Sequence, residues 1–295
     1  MDKMVFLVGD NPFHGISHLS QERARVRGDA VTSPEYAAGL VMTSTENGAD
    51  GFMFSVSDTT LSILRIIRQR GGKSLSLYAI VPYAYEYVRL AAQVGGISSL
   101  ARRFVWQLVL SANFKAIAMG LKGIIRTDLA ALLKAYVSYE VSRIRSAAGK
   151  CGKLHSVLLH EIVTDLALGL NLDNLLKSHV DFMLKLGIKP GFETRNFPYL
   201  VSRFKEWGID LHGVIIATPF NKVGFQMNPS RTECEKALGS LPVSSVIAMS
   251  ALAAGYLGIS EARDYVKSLP NLKAVVVGVS KQEHAFKTFK LFKEV

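Results

Sequence analysis

Eight short apolar runs alternate with helix-length segments along the chain, and this alternation constrains the possible folds more than any other feature. Each run is continuously apolar, which is typical of parallel strands that are covered on both faces. The runs are Met4–Gly9, Gly51–Ser55, Ser76–Val81, Ser156–His160, Pro190–Thr194, Gly213–Ala217, Ser245–Met249 and Ala274–Gly278. Eight β-α units in 295 residues predict an α/β protein with a (β/α)8 (TIM) barrel, whereas a doubly wound open sheet rarely contains so many regular units.

Signals for the start of a helix lie between these runs. A cap residue followed by proline, at Ser33-Pro34, opens the first helix, and Asp58 and Asp128 are expected to cap the next two. Later predicted helices begin at Asn171 or Asp173, at Phe197, and after Ser230, Ser260 and Ser280. Each apolar run therefore has a helical partner nearby in the sequence.

The alternation is interrupted once, after the third run. Residues 84–126 are predicted to form an inserted helical subdomain in the third β-α loop of one barrel domain that spans residues 1–295. Residues 65–150 hold 14 of the 35 Lys and Arg residues and only three of the 24 acidic residues. Such a segment suits a packed insertion with a solvated basic edge, a homo-oligomer contact, an anionic membrane surface or a lid over an anionic substrate. Nucleic acid is a weaker expectation, because no RNA-binding signature is visible.

The composition indicates a globular protein of the cytoplasm. Hydrophobic residues make up 49% and charged residues 20%, which excludes wholesale disorder. The two cysteines, Cys151 and Cys234, form neither a disulfide framework nor a cysteine-rich zinc site. The first apolar run is too short for a signal peptide, and no uncharged apolar stretch is long enough to predict a membrane-spanning helix.

Polar residues follow most of the apolar runs, at the barrel end where active sites of this architecture lie. The predicted catalytic candidates are His160, Glu161, Glu193, Tyr83 and Asp58, and the predicted contacts to a small anionic substrate are Asn11, His14 and Lys222. His160 is the strongest candidate, because a histidine at the tip of a buried strand can exchange protons near neutral pH. The alternative is a structural histidine bonded to the backbone.

Two further sets of residues suggest ligand sites. Asp10, His14 and His18 carry side chains that bind zinc, but the surrounding sequence indicates a polar loop, so a metal is an alternative and not the main expectation. Gly278, Ser280 and Lys281 place amides, a hydroxyl and an ammonium group together after the last run. Barrel loops at this position often bind phosphate, although Ser280 could instead only cap the last helix.

Three stretches of the second half carry a family likeness. They are PGFETRNFPYLVSRFKEWGID, ATPFNKVGF and SALAAGYLGISEARDYVKSLPNLKAVVVGVSKQEHAFKTF. Together they resemble strands five to eight of the aldo-keto reductase superfamily. This resemblance implies a (β/α)8 barrel that binds NADP and transfers hydride to a carbonyl group.

The resemblance also implies roles for particular residues. His160 corresponds to the active-site histidine of strand four, and Asp58 lies near the aspartate of strand two. The residues implied for the cofactor are Thr194 and Asn196 at the carboxamide, with Asn221, Gly255, Gly278, Ser280 and Lys281 around the rest of the dinucleotide. The proton-donating tyrosine and the lysine of the family are not matched, and Tyr83 or Tyr85 is the nearest phenol that could substitute.

Three classes of function follow from these patterns. The first is an NADP-dependent oxidoreductase that acts on a small anionic or phosphate-bearing substrate. The second is a lyase, isomerase or hydrolase on the same barrel, with His160 and Glu193 or a metal as its catalytic groups. The third is a barrel without catalysis that binds a partner or a membrane through the basic insertion.

Overall fold

A closed barrel of eight parallel strands confirms the predicted fold. The structure is a computed structural model that describes residues 4–15, 29–82 and 128–293. The strands are β1 (Val5–Gly9), β2 (Gly51–Ser55), β3 (Leu75–Val81), β4 (Gly152–Leu159), β5 (Lys189–Glu193), β6 (Ile215–Pro219), β7 (Val246–Met249) and β8 (Leu272–Gly278). They pair in chain order, and β8 closes the barrel against β1. Each strand coincides with a predicted apolar run to within four residues at either end.

Helices lie outside the barrel in the described ranges. They are α1 (Pro34–Glu46), α2 (Asp58–Gln69), α3 (Leu129–Ala148), α4 (Glu161–Gly169), α5 (Asp173–Lys185), α6 (Phe197–Trp207), α7 (Arg231–Gly239), α8 (Ile259–Ser268) and α9 (Gln282–Lys293). The cap predicted at Asp128 is present, because its Oδ1 accepts a hydrogen bond from the N–H of Ala131 at 3.0 Å.

Two helix expectations need correction. Asp58 is the first residue of α2, and Ser57 caps this helix in a reciprocal pair with Thr60. Ser57 takes this position because its backbone is extended while its hydroxyl reaches the N–H of Thr60. The sequence patterns also missed α4, which is short and follows β4 after a single residue.

The strands are apolar throughout because they separate two apolar layers. Side chains alternate along each strand, so that Phe6 and Val8 pack against the helices while Leu7 points into the barrel. The interior layer also contains Met53, Tyr78, Ile80, Leu158, Ile215 and Ile247. Gly51 allows β2 to approach β3, since a Cβ at this position would lie 2.2 Å from the carbonyl oxygen of Ser76. The same alternation directs the last inward residue of each strand towards the mouth of the barrel.

The predicted insertion at residues 84–126 lies outside the described residues, together with Tyr83, Tyr85 and His18. The chain is described up to Pro82 after β3, and it is described again from Asp128, which precedes α3. Across the described ranges, every helix is too short or too polar to cross a lipid bilayer.

Candidate active site

A cavity of about 330 Å³ opens at the carboxyl ends of the strands. Its wall includes eight residues that the sequence singled out, which are Asp10, Asn11, His160, Glu161, Glu193, Gly255, Gly278 and Ser280. Ser55 and His284, for which no place in the site was predicted, also line it, together with Arg195 and Ser250, which follow β5 and β7. Ser55 is the last inward residue of β2, so the strand alternation is the signal that could have identified it.

Glu193 occupies the last inward position of β5 and is almost completely buried. Its Oε2 accepts a hydrogen bond from the backbone N–H of Glu161 at 3.3 Å. Burial raises the pKa of Glu193 well above its usual range, and the negative charge of Glu161 raises it further. The carboxyl group therefore keeps its proton near neutral pH, which gives the cavity a proton donor.

His160 follows β4 and caps α4. Its Nδ1 accepts a hydrogen bond from the backbone N–H of Ile162 at 3.2 Å, so the proton of the neutral ring is on Nε2. Burial lowers the pKa of His160, with an opposing effect from the negative charge of Glu161. The ring is therefore neutral near pH 7 and presents an N–H donor.

Arg195 connects three loops at the cavity wall. Its Nε donates to the carboxylate of Glu161, and its Nη1 donates to the side-chain oxygen of Gln226. Asp165, in α4, holds the Arg195 loop, because it accepts hydrogen bonds from the N–H of Arg195 at 3.1 Å and from the hydroxyl of Thr194 at 2.5 Å. Asp165 is four residues after Glu161, so recognition of α4 would have placed both carboxylates on one helix face.

Asp10 follows β1 and is 5% exposed. Its Oδ2 accepts hydrogen bonds from the backbone N–H of Ser55 at 2.7 Å and from the Nε2 of His14 at 3.1 Å. Within the described residues, no three histidine, cysteine, aspartate or glutamate side chains are grouped so as to bind a metal ion. His18, the third member of the alternative metal site, lies outside these residues.

Three residues predicted to contact a cofactor use their polar atoms within the protein. The hydroxyl of Thr194 donates to Asp165, and the side chain of Asn196 caps α6 by accepting from the N–H of Tyr199 at 3.4 Å. The Asn221 amide bonds the backbone of Phe225 through both its oxygen and its nitrogen. These three side chains therefore stabilise the loops after β5 and β6.

Four other candidates do not reach the cavity wall. His14, predicted to contact the substrate, bonds Asp10 behind the wall, and the other three lie on the surface. Asp58 is 85% exposed and forms an ion pair with Arg143, because it starts α2 on its outer side. Lys222 pairs with Glu261 at 2.7 Å on the surface. Lys281 is exposed beside Ser280 at the start of α9, so it lies at the rim and is not part of the cavity wall.

Several solved structures with a similar fold are named aldo-keto reductases. A Pseudomonas aeruginosa protein assigned as an aldo-keto reductase is similar over 97% of this chain and 88% of its own, with a TM-score of 0.57 and 12% identity. An aldo-keto reductase from Brucella melitensis is similar over 89% of this chain and 85% of its own, with a TM-score of 0.51 and 12% identity. An aldo-keto reductase from a Medee basin deep-sea metagenome library is similar over 88% of this chain and 82% of its own, with a TM-score of 0.50 and 10% identity.

No protein-family model and no curated protein matches the sequence. The fold and the cavity define a (β/α)8 barrel of the architecture that the aldo-keto reductases share. At 10–12% identity this likeness concerns the fold, which confirms that part of the resemblance seen in the sequence. Because this fold supports many reactions, the side chains in the cavity, and not the fold, determine the reaction.

Proposed function

We propose that this protein is an enzyme that delivers a proton to the carbonyl oxygen of a small anionic substrate. The observation that carries the proposal is the pair formed by Glu193 and His160 in one cavity. Their pKa values are shifted in opposite directions, so that each group is uncharged and holds a proton at neutral pH. Opposite shifts of this kind are typical of acid and base groups in active sites.

The two groups have different parts in the proposed step. The N–H of His160 hydrogen-bonds the carbonyl oxygen and orients it, because a neutral imidazole is a very weak acid. Glu193 transfers its proton, since a carboxylic acid with a raised pKa is a competent donor near neutral pH. The negative charge that develops on the oxygen is neutralised as the proton arrives.

The shape and the rim of the cavity support a small anionic substrate. A volume of about 330 Å³ suits a compound of a few carbon atoms with one charged group. Gly278 and Ser280 form the wall next to α9, where backbone N–H groups at a helix start favour an anion. The formal net charge of +11 attracts such substrates.

NADP would supply a hydride, and the aldo-keto reductase architecture makes reduction the first specific reaction to test. Gly255, Gly278 and Ser280 line the cavity where the dinucleotide phosphates are expected. The residues predicted to hold the nicotinamide end of NADP fit that role less well. The hydroxyl of Thr194 and the side-chain oxygen of Asn196 already form hydrogen bonds within the protein. The proton transfer from Glu193 does not depend on this cofactor and is common to reduction and to isomerisation or elimination.

The test uses small anionic carbonyl compounds with and without NADPH. Hydroxypyruvate, glyceraldehyde 3-phosphate and dihydroxyacetone phosphate are incubated with the protein, and NADPH oxidation and product formation are followed by absorbance and NMR. Glu193→Gln keeps the size of the side chain but removes its transferable proton, so turnover should decrease by about 10²-fold or more. His160→Asn keeps a donor of similar reach and should raise KM as well as lower kcat.

Glu206→Gln is the matched control, because Glu206 pairs with Arg203 on the exposed face of α6. Its turnover should equal that of the wild type, and all three variants should keep the same circular dichroism spectrum. Wild-type turnover in both Glu193→Gln and His160→Asn, or no conversion of any compound in the panel, would contradict the proposal.

A further inference from the structure

We propose that Asp10 is a general base opposite Glu193, and that the site isomerises α-hydroxycarbonyl compounds by proton transfer. This inference depends on the proposed function, because it adds a second proton-transfer group to the acid already described. It assigns the protein a substrate class in which a hydroxyl group lies next to the carbonyl group.

The barrel places the two carboxyl groups on opposite sides of the cavity. In a closed barrel of eight strands that pair in chain order, β1 and β5 are four strands apart in both directions. Asp10 directly follows β1, Glu193 ends β5, and both line the same cavity. A substrate in this cavity therefore lies between Asp10 and Glu193, with a proton donor on one side and an acceptor on the other.

Asp10 is held in position for such a role. Its side chain is 6% exposed, and its Oδ2 accepts the hydrogen bonds from Ser55 and His14. Its Oδ1 accepts no hydrogen bond from the residues that the structure describes, although Asp10 forms part of the cavity wall. One oxygen thus fixes the carboxylate while the other keeps lone pairs for a proton from the substrate.

The first half of the reaction forms an enediol. Asp10 removes the hydrogen of the hydroxyl-bearing carbon, and the electron pair of that C–H bond forms the carbon–carbon double bond. The π electrons of the carbonyl group take the proton of Glu193, so that the carbonyl oxygen becomes a hydroxyl group. Asp10 is then protonated and Glu193 is ionised.

The second half returns both protons. The Glu193 carboxylate takes the proton of the neighbouring hydroxyl group, and the new carbonyl group forms there. The double bond takes the proton from Asp10 at the former carbonyl carbon, which restores both carboxyl groups to their starting states. All atoms and electrons balance between substrate, Asp10 and Glu193.

Deuterium exchange tests the base directly. Hydroxypyruvate, tartronate semialdehyde and glyceraldehyde 3-phosphate are incubated with the protein in D₂O without added cofactor, and ¹H NMR follows the hydrogen on the carbon next to the carbonyl group. The wild type should catalyse its loss and interconvert the isomers. Asp10→Asn keeps an oxygen acceptor for the N–H of Ser55 but removes the base, so exchange should slow by about 10²-fold or more.

Asp50→Asn is the matched control. Asp50 also accepts a backbone N–H from a neighbouring strand, that of Phe6 at 2.9 Å, but it precedes β2 and lies at the other end of the barrel. Asp50→Asn should exchange at the wild-type rate. A ¹³C NMR titration of Glu193 adds a readout without substrate, because loss of the Asp10 charge should lower the pKa of Glu193.

The outcomes separate this inference from the proposed function. Wild-type exchange in Asp10→Asn, or NADPH-dependent reduction without any exchange, overturns the role of Asp10 while the proton donor Glu193 stands. Turnover that does not depend on Glu193 and His160 overturns the proposed function itself. Slow exchange in Asp10→Asn, with normal exchange in Asp50→Asn, supports the inference.

Discussion

Arg195 donates a hydrogen bond through its Nε to the carboxylate of Glu161, and this ion pair lies beside the buried carboxyl group of Glu193. Glu161 also donates its backbone N–H to Glu193. The charge of Glu161 raises the pKa of Glu193, and that of Arg195 lowers it. The balance between these two charges therefore tunes the proton donor after burial has set the main shift.

Replacement of Glu161 and replacement of Arg195 should move the pH profile of kcat/KM in opposite directions. The proposed step requires protonated Glu193, so kcat/KM should be lost as the pH rises through the pKa of that group. Glu161→Gln should lower the pKa of Glu193 and move this alkaline limb to lower pH, while Arg195→Gln should move it to higher pH. Arg263→Gln, on the surface of α8, is the control. Shifts in the same direction would show that the charges do not act on Glu193.

His179 should make the protein less stable in mild acid. It is 1% exposed and packs against Phe192 with ring centroids 5.5 Å apart, and burial lowers its pKa to about 4 from an ordinary value of 6.5. The unfolded chain therefore binds a proton below pH 6.5 that the folded protein excludes. Its contribution to stability is complete above pH 6.5 and is lost progressively towards pH 4, which costs roughly 3 kcal/mol.

Urea unfolding at a series of pH values measures this effect. His179→Phe should make the decrease between pH 6.5 and pH 4 smaller by roughly 3 kcal/mol, because a phenyl ring does not titrate. His212→Phe, at an exposed position before β6, should leave the decrease unchanged. An unaltered pH dependence in His179→Phe would assign the decrease to other groups.

Asp165 should stabilise the folded protein, because it accepts two hydrogen bonds from the loop after β5. Asp165→Ala leaves two donors without their acceptor, the hydroxyl of the fully buried Thr194 and the N–H of Arg195. The expected loss is about 2 kcal/mol in the free energy of unfolding. Asp165→Asn keeps an acceptor and should lose less, and Asp181→Ala, on the exposed face of α5, should lose little. Equal stability of the two Asp165 variants would argue against this hydrogen-bond role.

Lys281 should strengthen the binding of phosphate-bearing ligands at the rim. It lies between Ser280, which lines the cavity, and the start of α9. Lys281→Ala should raise the Kd for a phosphorylated ligand by about tenfold, because a charged hydrogen bond contributes roughly 1–3 kcal/mol to binding. Isothermal titration with NADPH and with glyceraldehyde 3-phosphate measures this, and Lys287→Ala on the outer part of α9 is the control. Unchanged affinities would remove Lys281 from the site.

Several site residues could be predicted from the sequence because a strand places its last residues by simple alternation. His160 is two positions after the inward Leu158, and Glu193 follows the outward Phe192, so both point to the mouth of the barrel. The misplaced residues lie in loops or at helix starts. Asp58 was expected in the site, but Ser57 begins α2 one residue earlier and leaves Asp58 on its exposed side.

The sequence by itself determined the barrel, because continuous apolar runs can be covered on both faces only when each strand lies between an interior layer and a layer of helices. It also determined which strand ends carry polar groups. Only the tertiary structure decided the state of those groups: a protonated carboxyl group at Glu193, a neutral ring at His160, and loop-bound side chains at Thr194, Asn196 and Asn221. The physical reason is that protonation and hydrogen bonding depend on burial and on neighbours that are distant in the sequence, such as Glu161 for Glu193 and Ser55 for Asp10.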